Sequence, residues 1–368
     1  MDIGSRLKFA RKSIGFTLAQ AEAASGIGRS SLSEFETNTR EPRFSQLAKL
    51  AEVYQRAIEF FLTESTLSGP VMLWREKPSN EEGMKPVEAQ FRQLCEQYHR
   101  LEASAGEVRR KRLPELDVTR PGEFGYADAS SLARKTGREL GLGELPGGAI
   151  RQVLEETYHV KLFYLDFAGS AVSTVSEEFG PAVLLNRRNR AWRRNYDLAH
   201  ELFHILTWTV FRTDSERDEP SEMEEKWANA FASTLLMPDE TVRSRVESLS
   251  RGTGAVGLDQ LDDIARELGV SMSALIYRIA SIYRFDRETV SRYAASVEAY
   301  LRRLRPRESD EPAVLPERYC DLAQRALREG KLSLIQFAKY MGISYRQAQE
   351  YLVEDEGFTD EKISIPAT

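Results

Sequence analysis

Two histidines and a glutamate in the segment "NYDLAHELFHILTW", residues 195–208, have the spacing of a metal site. His200, Glu201 and His204 follow the order His-Glu-x-x-His. Residues four apart lie on one face of a helix, so both imidazoles can reach one ion, and this spacing suits Zn²⁺. Glu201 would then accept a proton from a water. The alternative is an ordinary helix with structural histidines, but the chain has only four histidines and two of them lie here.

A catalytic zinc normally takes three protein ligands and leaves one position for water, so a further ligand is expected. The segment "EEKWANAFASTLLMP" offers Glu225 on the same helical face as Ala228 and Asn229. Glu225 is the preferred ligand. Glu222 and Glu224 are competing candidates for this ligand, because three carboxylates cluster here. A run of carboxylates on a helix is also usually just a solvated face.

The motif "LAHELFH", followed by Glu-x-x-Ala-Asn-x-Phe-Ala and "LLMP", resembles the ImmA/IrrE family of zinc metallopeptidases over about residues 127–282. The resemblance implies a zincin-like fold that cleaves a repressor of phage, mobile-element or DNA-damage genes. It also implies that Glu201 is the general base and that the Zn²⁺ ligands are His200, His204 and Glu225. Two positions depart from the family pattern: Phe203 stands where Gly is common, and Trp227 stands where a second glutamate is common.

A basic loop, "RRNRAWRR", precedes the predicted metal helix and surrounds one tryptophan with arginines. Such a loop combines phosphate-seeking charge with a stacking surface. Three interpretations stay open: single-stranded DNA docks there and activates cleavage, acidic residues of a protein substrate pair there, or the loop is a solvated turn. The candidate contact residues are Arg190, Trp192, Arg193 and Arg194.

Residues 3–63 resemble a phage-repressor-like helix-turn-helix domain of the XRE family, with Gly26 at the turn and a second helix from Arg29 to Glu36. The resemblance implies that this helix enters the major groove of double-stranded DNA. Base edges would be contacted by Arg29, Ser30 and Glu34, and phosphates by Arg40 and Arg43.

The same segment departs from the XRE pattern at Leu18, where a phosphate-binding Gln is common, and at Glu22, where a small buried residue is expected. A protein-docking or dimerisation module is therefore the alternative to sequence-specific DNA binding. Since repressor-like domains often act as dimers on two half-sites, a homodimer is also expected.

Periodicity predicts the elements that must position these residues. Three short strands are expected in "VKLFYLDF", "AVSTVSEEF" and "PAVLLNRR", the last offering an open edge to which an extended peptide can add. Asp197 is expected to cap the metal helix, which runs to about Trp208. A second helix covers roughly Ser221 to Met237 and stops at Pro238. The stretch "TLSGPVMLWREKPSNEEGMKP" is expected to be an extended connector.

The predicted fold is multidomain and mainly α. Residues 1–63 form an all-α helix-turn-helix domain, and residues 64–126 form a linker with one amphipathic helix. Residues 127–282 form an α+β zincin-like domain with a small sheet, and residues 283–368 form a helical C-terminal region. The stretches "LDDIARELGVSMSAL" and "LIQFAKYMGISYRQA" repeat the helix, Gly-turn, helix pattern of the N-terminal domain.

Composition limits the class of protein. The chain of 368 residues is 41% hydrophobic and 29% charged, and it has no uncharged apolar run long enough to span a bilayer. The N-terminus lacks the apolar core of a secretory signal, so a cytoplasmic location without membrane association is expected. A net charge of -6 argues against nonspecific coating of nucleic acid. The alternative function is a noncatalytic DNA-binding or antitoxin-like regulator with a structural or sensory metal site.

Overall fold

A computed structural model describes residues 2–62, 70–76, 81–107, 111–114, 121–212, 219–251, 254–303 and 311–353. Parts of the predicted regions lie outside the described residues. They include residue 63 of the helix-turn-helix domain, residues 64–69, 77–80, 108–110 and 115–120 of the linker, and residues 354–368 of the C-terminal region. None of the described helices combines the length and the apolar character that a bilayer-spanning segment needs.

Eighteen α-helices and one four-stranded sheet make the described part a multidomain, mainly α protein. The helices are α1 (Ile3–Ser13), α2 (Leu18–Ser25), α3 (Arg29–Glu36), α4 (Phe44–Val53), α5 (Ile58–Leu62), α6 (Glu81–Ala105), α7 (Tyr126–Leu140), α8 (Pro146–Gln152), α9 (Ala191–Leu206), α10 (Trp208–Phe211), α11 (Glu222–Leu236), α12 (Asp239–Ser250), α13 (Leu258–Leu268), α14 (Met272–Tyr283), α15 (Arg287–Leu301), α16 (Glu317–Arg328), α17 (Leu334–Met341) and α18 (Tyr345–Val353). The strands are β1 (Leu73–Arg75), β2 (Lys161–Leu165), β3 (Ala171–Ser176) and β4 (Gly180–Asn186).

Helices α1 to α5 pack around one apolar core, as the sequence predicts. Thr17 and Gln20 form a capping box at the start of α2, and Gly26 ends this helix with a left-handed φ of 69°. The turn therefore uses a conformation that glycine adopts at little cost. The buried core residues of these helices include Leu7, Leu32, Phe35, Leu47 and Leu50, and Ile3, Ile27 and Val53 pack against them partly buried.

The helix, Gly-turn, helix pattern recurs twice in the structure. Gly269 follows α13 with φ 65°, and Gly342 follows α17 with φ 64°. In both cases the next helix begins three residues after the glycine, as α3 does after Gly26. The pair α13 and α14 packs into the same apolar core as α9 and α11.

The sheet has the order β1-β3-β4-β2, in which β2 runs parallel to β4 and the other neighbours are antiparallel. Alternate residues face opposite layers: Leu162 and Val183 belong to the core around α9, whereas Phe163 and Leu184 belong to the core around α6 and α16. The expectation that "PAVLLNRR" presents an open edge is wrong, because β4 has a hydrogen-bonded strand on each side.

The prediction of an extended connector after the helix-turn-helix domain is also wrong in part. Residues 73–75 form β1, which pairs antiparallel with β3 at one edge of the sheet. Three residues are too few to show a periodic pattern, and their hydrogen-bonding partners lie far away in the sequence. The amphipathic linker helix is present as α6.

A buried cluster of charges joins α6, β2 and α16. Glu102 and Lys161 are fully buried, and their carboxylate and ammonium groups lie 2.7 Å apart. Nη1 of Arg318 lies 2.7 Å from the other oxygen of Glu102. The linker helix, the sheet and the C-terminal helices are thereby held together by one shared carboxylate.

Candidate metal centre and nucleic-acid surfaces

Helix α9 presents the His-Glu-x-x-His motif from a buried face. His200 and Glu201 are each 1% exposed and His204 is 2% exposed, because α9 packs across β3 and β4 on one side and α11 on the other. The prediction that Asp197 caps this helix is wrong, because Asp197 lies within the helix and is buried. The helix begins earlier, at Ala191, and Asp197 instead accepts a 2.6 Å hydrogen bond from Ser170.

Helix α11 brings Glu225 against both histidines. Its carboxylate oxygens lie 3.1 Å from Nε2 of His200 and 3.3 Å from Nε2 of His204. The other two carboxylates of this run are used elsewhere. Glu224 closes the capping box with Ser221 and pairs with Arg212 at 2.7 Å, and the exposed Glu222 pairs with Lys226.

The three converging groups fit a zinc ion. Their ligand atoms all lie within 4.8 Å of one another, and the described residues contain no other such group of histidine, cysteine and acidic side chains. The two Nε2 atoms of His200 and His204 are 3.3 Å apart. Tetrahedral ligands about 2.0–2.1 Å from zinc lie about 3.3 Å from each other, so the observed separations match.

Protonation states at the site suit metal binding. Burial lowers the pKa of His200 to about 3, so its imidazole is neutral near pH 7. Burial opposes ionisation of Glu225, but the close approach of the His200 and His204 rings to its carboxylate outweighs burial and holds the Glu225 pKa well below its ordinary value. A neutral imidazole and an ionised carboxylate are the forms that bind a cation.

Asn229 orients the first histidine, and the sequence analysis assigned it no role. Its amide oxygen lies 3.1 Å from Nδ1 of His200. Since this oxygen can only accept, Nδ1 carries the proton and Nε2 keeps its lone pair for a metal. Asn229 stands one helical turn after Glu225, so the shared face noted in the sequence was the available signal.

Glu201 is a buried carboxylate without a hydrogen-bond partner among the described residues. The hydroxyl of Ser173 on β3 lies near it but is also without a partner in hydrogen-bonding geometry. Burial raises the pKa of Glu201 to about 7. A group with these properties beside a cation can exchange a proton near neutral pH.

Aromatic side chains enclose one side of the site. Phe203 lies 5.6 Å from His204 and 5.8 Å from Phe124, measured between ring centroids. Phe124 also contacts Trp227 at 5.0 Å, and Trp227 stacks on Phe211. The two residues that depart from the family pattern, Phe203 and Trp227, thus form an apolar wall next to the candidate ligands.

The structure separates the arginines of the basic loop. Arg194 is buried and donates to the carbonyl oxygens of Arg187 and Asn189, and Arg193 pairs with Asp197 and Glu76. Arg190 is exposed at the start of α9, and Trp192 is half-buried. Contact with single-stranded DNA stays a prediction, and Arg190 is the most accessible of its candidate residues.

The helix-turn-helix residues lie at the predicted positions on α3 and after it. Glu22 accepts a 3.0 Å hydrogen bond from the backbone N–H of Arg29, so this departure from the pattern caps α3. Glu34 is half-buried and pairs with Arg40 at 3.4 Å. The exposed candidates for DNA contact are Arg29, Ser30, Arg40 and Arg43.

Comparison with known proteins identifies two classes of domain in this chain. Residues 7–61 match the model of a helix-turn-helix family, and residues 155–280 match that of the IrrE N-terminal-like domain. The chain therefore carries an XRE-type helix-turn-helix domain followed by an ImmA/IrrE-like domain.

One similar protein is the HTH-type transcriptional regulator ImmR of Bacillus subtilis (strain 168). It is 34% identical over 68 residues, which cover 18% of this chain and 54% of that protein. The chain thus spans about half the length of this relative.

Proposed function

We propose that this protein is a zinc-dependent endopeptidase joined to a DNA-binding domain, and that it cleaves a transcriptional repressor. The observation that carries the proposal is the convergence of His200, His204 and Glu225 within 4.8 Å, beside the carboxylate of Glu201, which no described residue hydrogen-bonds. Two nitrogens and one oxygen form a ligand set that zinc prefers, and three protein ligands leave a position for water. When bound, zinc supplies a Lewis acid that polarises a peptide carbonyl and lowers the pKa of a water.

Glu201 is the proposed general base. Its two oxygens have no competing hydrogen bonds among the described residues, so they can receive a proton from the attacking water. Glu201 would then return that proton to the departing amine nitrogen, which completes hydrolysis of the peptide bond. The nearby wall of Phe124, Phe203 and Trp227 would exclude bulk water from this transfer.

The N-terminal domain is proposed to hold the peptidase on double-stranded DNA. The relative ImmR is named a transcriptional regulator, which supports a regulatory role. We propose cytoplasmic action on phage, mobile-element or stress-response genes, with single-stranded DNA as an activator and a homodimer as the DNA-bound form. The proposed domain limits are residues 1–63, 64–126, 127–282 and 283–368.

The test combines metal analysis with repressor cleavage. Purified wild-type protein should contain about one zinc per chain. Glu201→Gln should retain the zinc and slow cleavage of a co-expressed helix-turn-helix repressor by about 100-fold or more, because the proton acceptor is lost. Glu222→Gln is the matched control, since it removes an exposed carboxylate that pairs with Lys226 and should leave both properties unchanged.

The second candidate function is a noncatalytic DNA-binding or antitoxin-like regulator, which the match to a named regulator favours. It predicts wild-type protein that binds operator DNA and zinc, yet cuts no co-expressed repressor under any inducing condition. That result would exclude the peptidase proposal while leaving the metal site intact.

A further inference from the structure

The edge of the sheet beside the candidate metal centre is covered by a segment of the linker. This segment is β1 (Leu73–Arg75), which lies between the helix-turn-helix domain and α6 and pairs antiparallel with β3. The pairs are Leu73 with Ser173, Trp74 with Val172 and Arg75 with Ala171. β1 thus has the position that an added peptide strand would take on β3.

The register determines which side chains of β1 face the site. Directly paired residues of an antiparallel ladder point to the same face, and residues two apart share a face. Ala171 belongs to the core around α9, so Leu73 and Arg75 also face α9, and Trp74 faces the opposite layer. Trp74 accordingly donates a 2.7 Å hydrogen bond to Glu88 of α6.

Leu73 lies across the ladder from the β3 residue that approaches the proposed general base. Its partner Ser173 is the β3 residue whose hydroxyl approaches Glu201. Leu73 is buried, at 2% exposure, on this same face. The register therefore places a buried apolar side chain of β1 on the face of the sheet that Glu201 approaches.

Arg75 ties β1 to helix α9 and approaches helix α11. Its Nε lies 3.2 Å from Asp197 of α9, and its Nη2 lies 3.5 Å from Oδ1 of Asn229 on α11. The guanidinium also lies over the Tyr196 ring, 5.3 Å from the centroid. However, its Nη1 is buried without a hydrogen-bond partner among the described residues, a cost that weakens the docking of β1.

We propose that the outer edge of β3 is the peptide-docking edge of this site, and that β1 is its internal occupant, which must leave before a substrate strand can pair. This inference rests on the proposed function for its substrate. The side chains that β1 places on the site define the substrate class: an extended peptide segment with an apolar residue and, two positions later, a long cationic residue. The ladder between β1 and β3 has only three residue pairs, so exchange of β1 for another strand breaks few ladder hydrogen bonds.

The test uses a fluorescein-labelled peptide with the sequence of residues 70–76, Pro-Val-Met-Leu-Trp-Arg-Glu, and the full-length chain in a Glu201→Gln background. Because this background prevents hydrolysis, docking is measured whether or not the protein is a peptidase. The loosened variant carries Trp74→Ala and Arg75→Ala. The locked variant carries Trp74→Cys and Val172→Cys, which face away from the site and should form a disulfide across the ladder.

The loosened variant should bind the peptide about tenfold or more tightly than the parent, because the edge is vacated in a larger fraction of molecules. Hydrogen exchange at the amides of residues 171–175 should accelerate in this variant and slow again when the peptide is added. The locked variant should not bind until a reductant opens the disulfide. A peptide with Ala in place of the leucine and the arginine should bind at least about tenfold more weakly.

Equal binding by locked and reduced protein would overturn the inference, since the peptide would then dock elsewhere, such as the outer side of β1. The absence of peptide binding by a loosened variant with native circular dichroism would also overturn it. If the loosened variant does not fold, the reductant dependence of the locked variant decides. Docking without cleavage in the Glu201-containing chain would refute the peptidase function alone.

Discussion

Replacing Asn229 with Ala should weaken zinc binding while leaving all three candidate ligands in place. The amide oxygen of Asn229 is 3.1 Å from Nδ1 of His200, and its loss leaves that N–H without its acceptor. Loss of such an orienting partner typically weakens metal affinity by about 10–100-fold, which corresponds to about 1.4–2.7 kcal/mol.

Because Asn229 is exposed, we expect a loss of zinc affinity near the lower end of this range. Its side chain is exposed, so water can replace the lost acceptor, and we expect a decrease of about tenfold. Its backbone carbonyl keeps the 3.1 Å hydrogen bond from Tyr196, so α11 should stay in place. The 3.5 Å contact with Arg75 is too long to contribute much.

Competition with a chromophoric zinc chelator at constant pH measures this affinity. Asn229→Asp keeps an acceptor oxygen and should restore wild-type binding. Asn195→Ala is the matched control, because its amide donates to the carbonyl of Gly269 at 3.0 Å and does not contact a candidate ligand. Affinity of Asn229→Ala within about twofold of wild type would refute the orienting role.

Three other predictions concern protein stability and DNA binding. Burial raises the pKa of Glu155 from 4.5 to about 7, so this group favours the unfolded state increasingly as pH rises from 4.5 through 7. Glu155→Gln should therefore stabilise the protein at pH 8 by up to about 3 kcal/mol and have little effect near pH 4, which urea unfolding at the two pH values will show. Arg11 and Glu36 form a nearly buried pair with two hydrogen bonds of 2.6 and 2.8 Å, so Glu36→Gln should destabilise the N-terminal helices by about 3 kcal/mol. Hydrogen exchange should accelerate in α1 and α3 but not in α9, and uniform acceleration would contradict a local role. Arg43→Ala should reduce the slope of log affinity against log salt by about 1, measured by fluorescence anisotropy with operator DNA; an unchanged slope would remove Arg43 from the phosphate contacts.

The sequence predicted the parts of the site that depend on local spacing. The helical period places His200, Glu201 and His204 on one helix, and Glu225 on another helix that ends near Pro238, as the structure shows. The contacts that keep the neighbouring carboxylates away from the candidate site lie outside the motif. Glu224 is committed to the capping box and to Arg212, which the charge pattern alone does not reveal.

Tertiary pairing explains what could not be predicted. β1 is stabilised as a strand by hydrogen bonds to β3, which lies about a hundred residues later in the sequence, so no local propensity indicates it. For the same reason the sequence did not show that β4 is internal. Asp197 has the residue type of a helix cap, but its buried contacts with Ser170 and Arg75 place it inside α9 instead.

The carboxylate of Glu102, shared by Lys161 and Arg318, restricts how this chain can be shortened. Removal of the C-terminal helices would delete Arg318 and leave the remaining pair beside newly exposed apolar surface of α6. Excision of the linker helix instead would leave the ammonium group of Lys161 in the sheet without its counter-ion. The ImmA/IrrE-like domain therefore cannot be isolated by cutting at residues 155 and 280, and α6 and α16 belong in any minimal folded fragment that contains it.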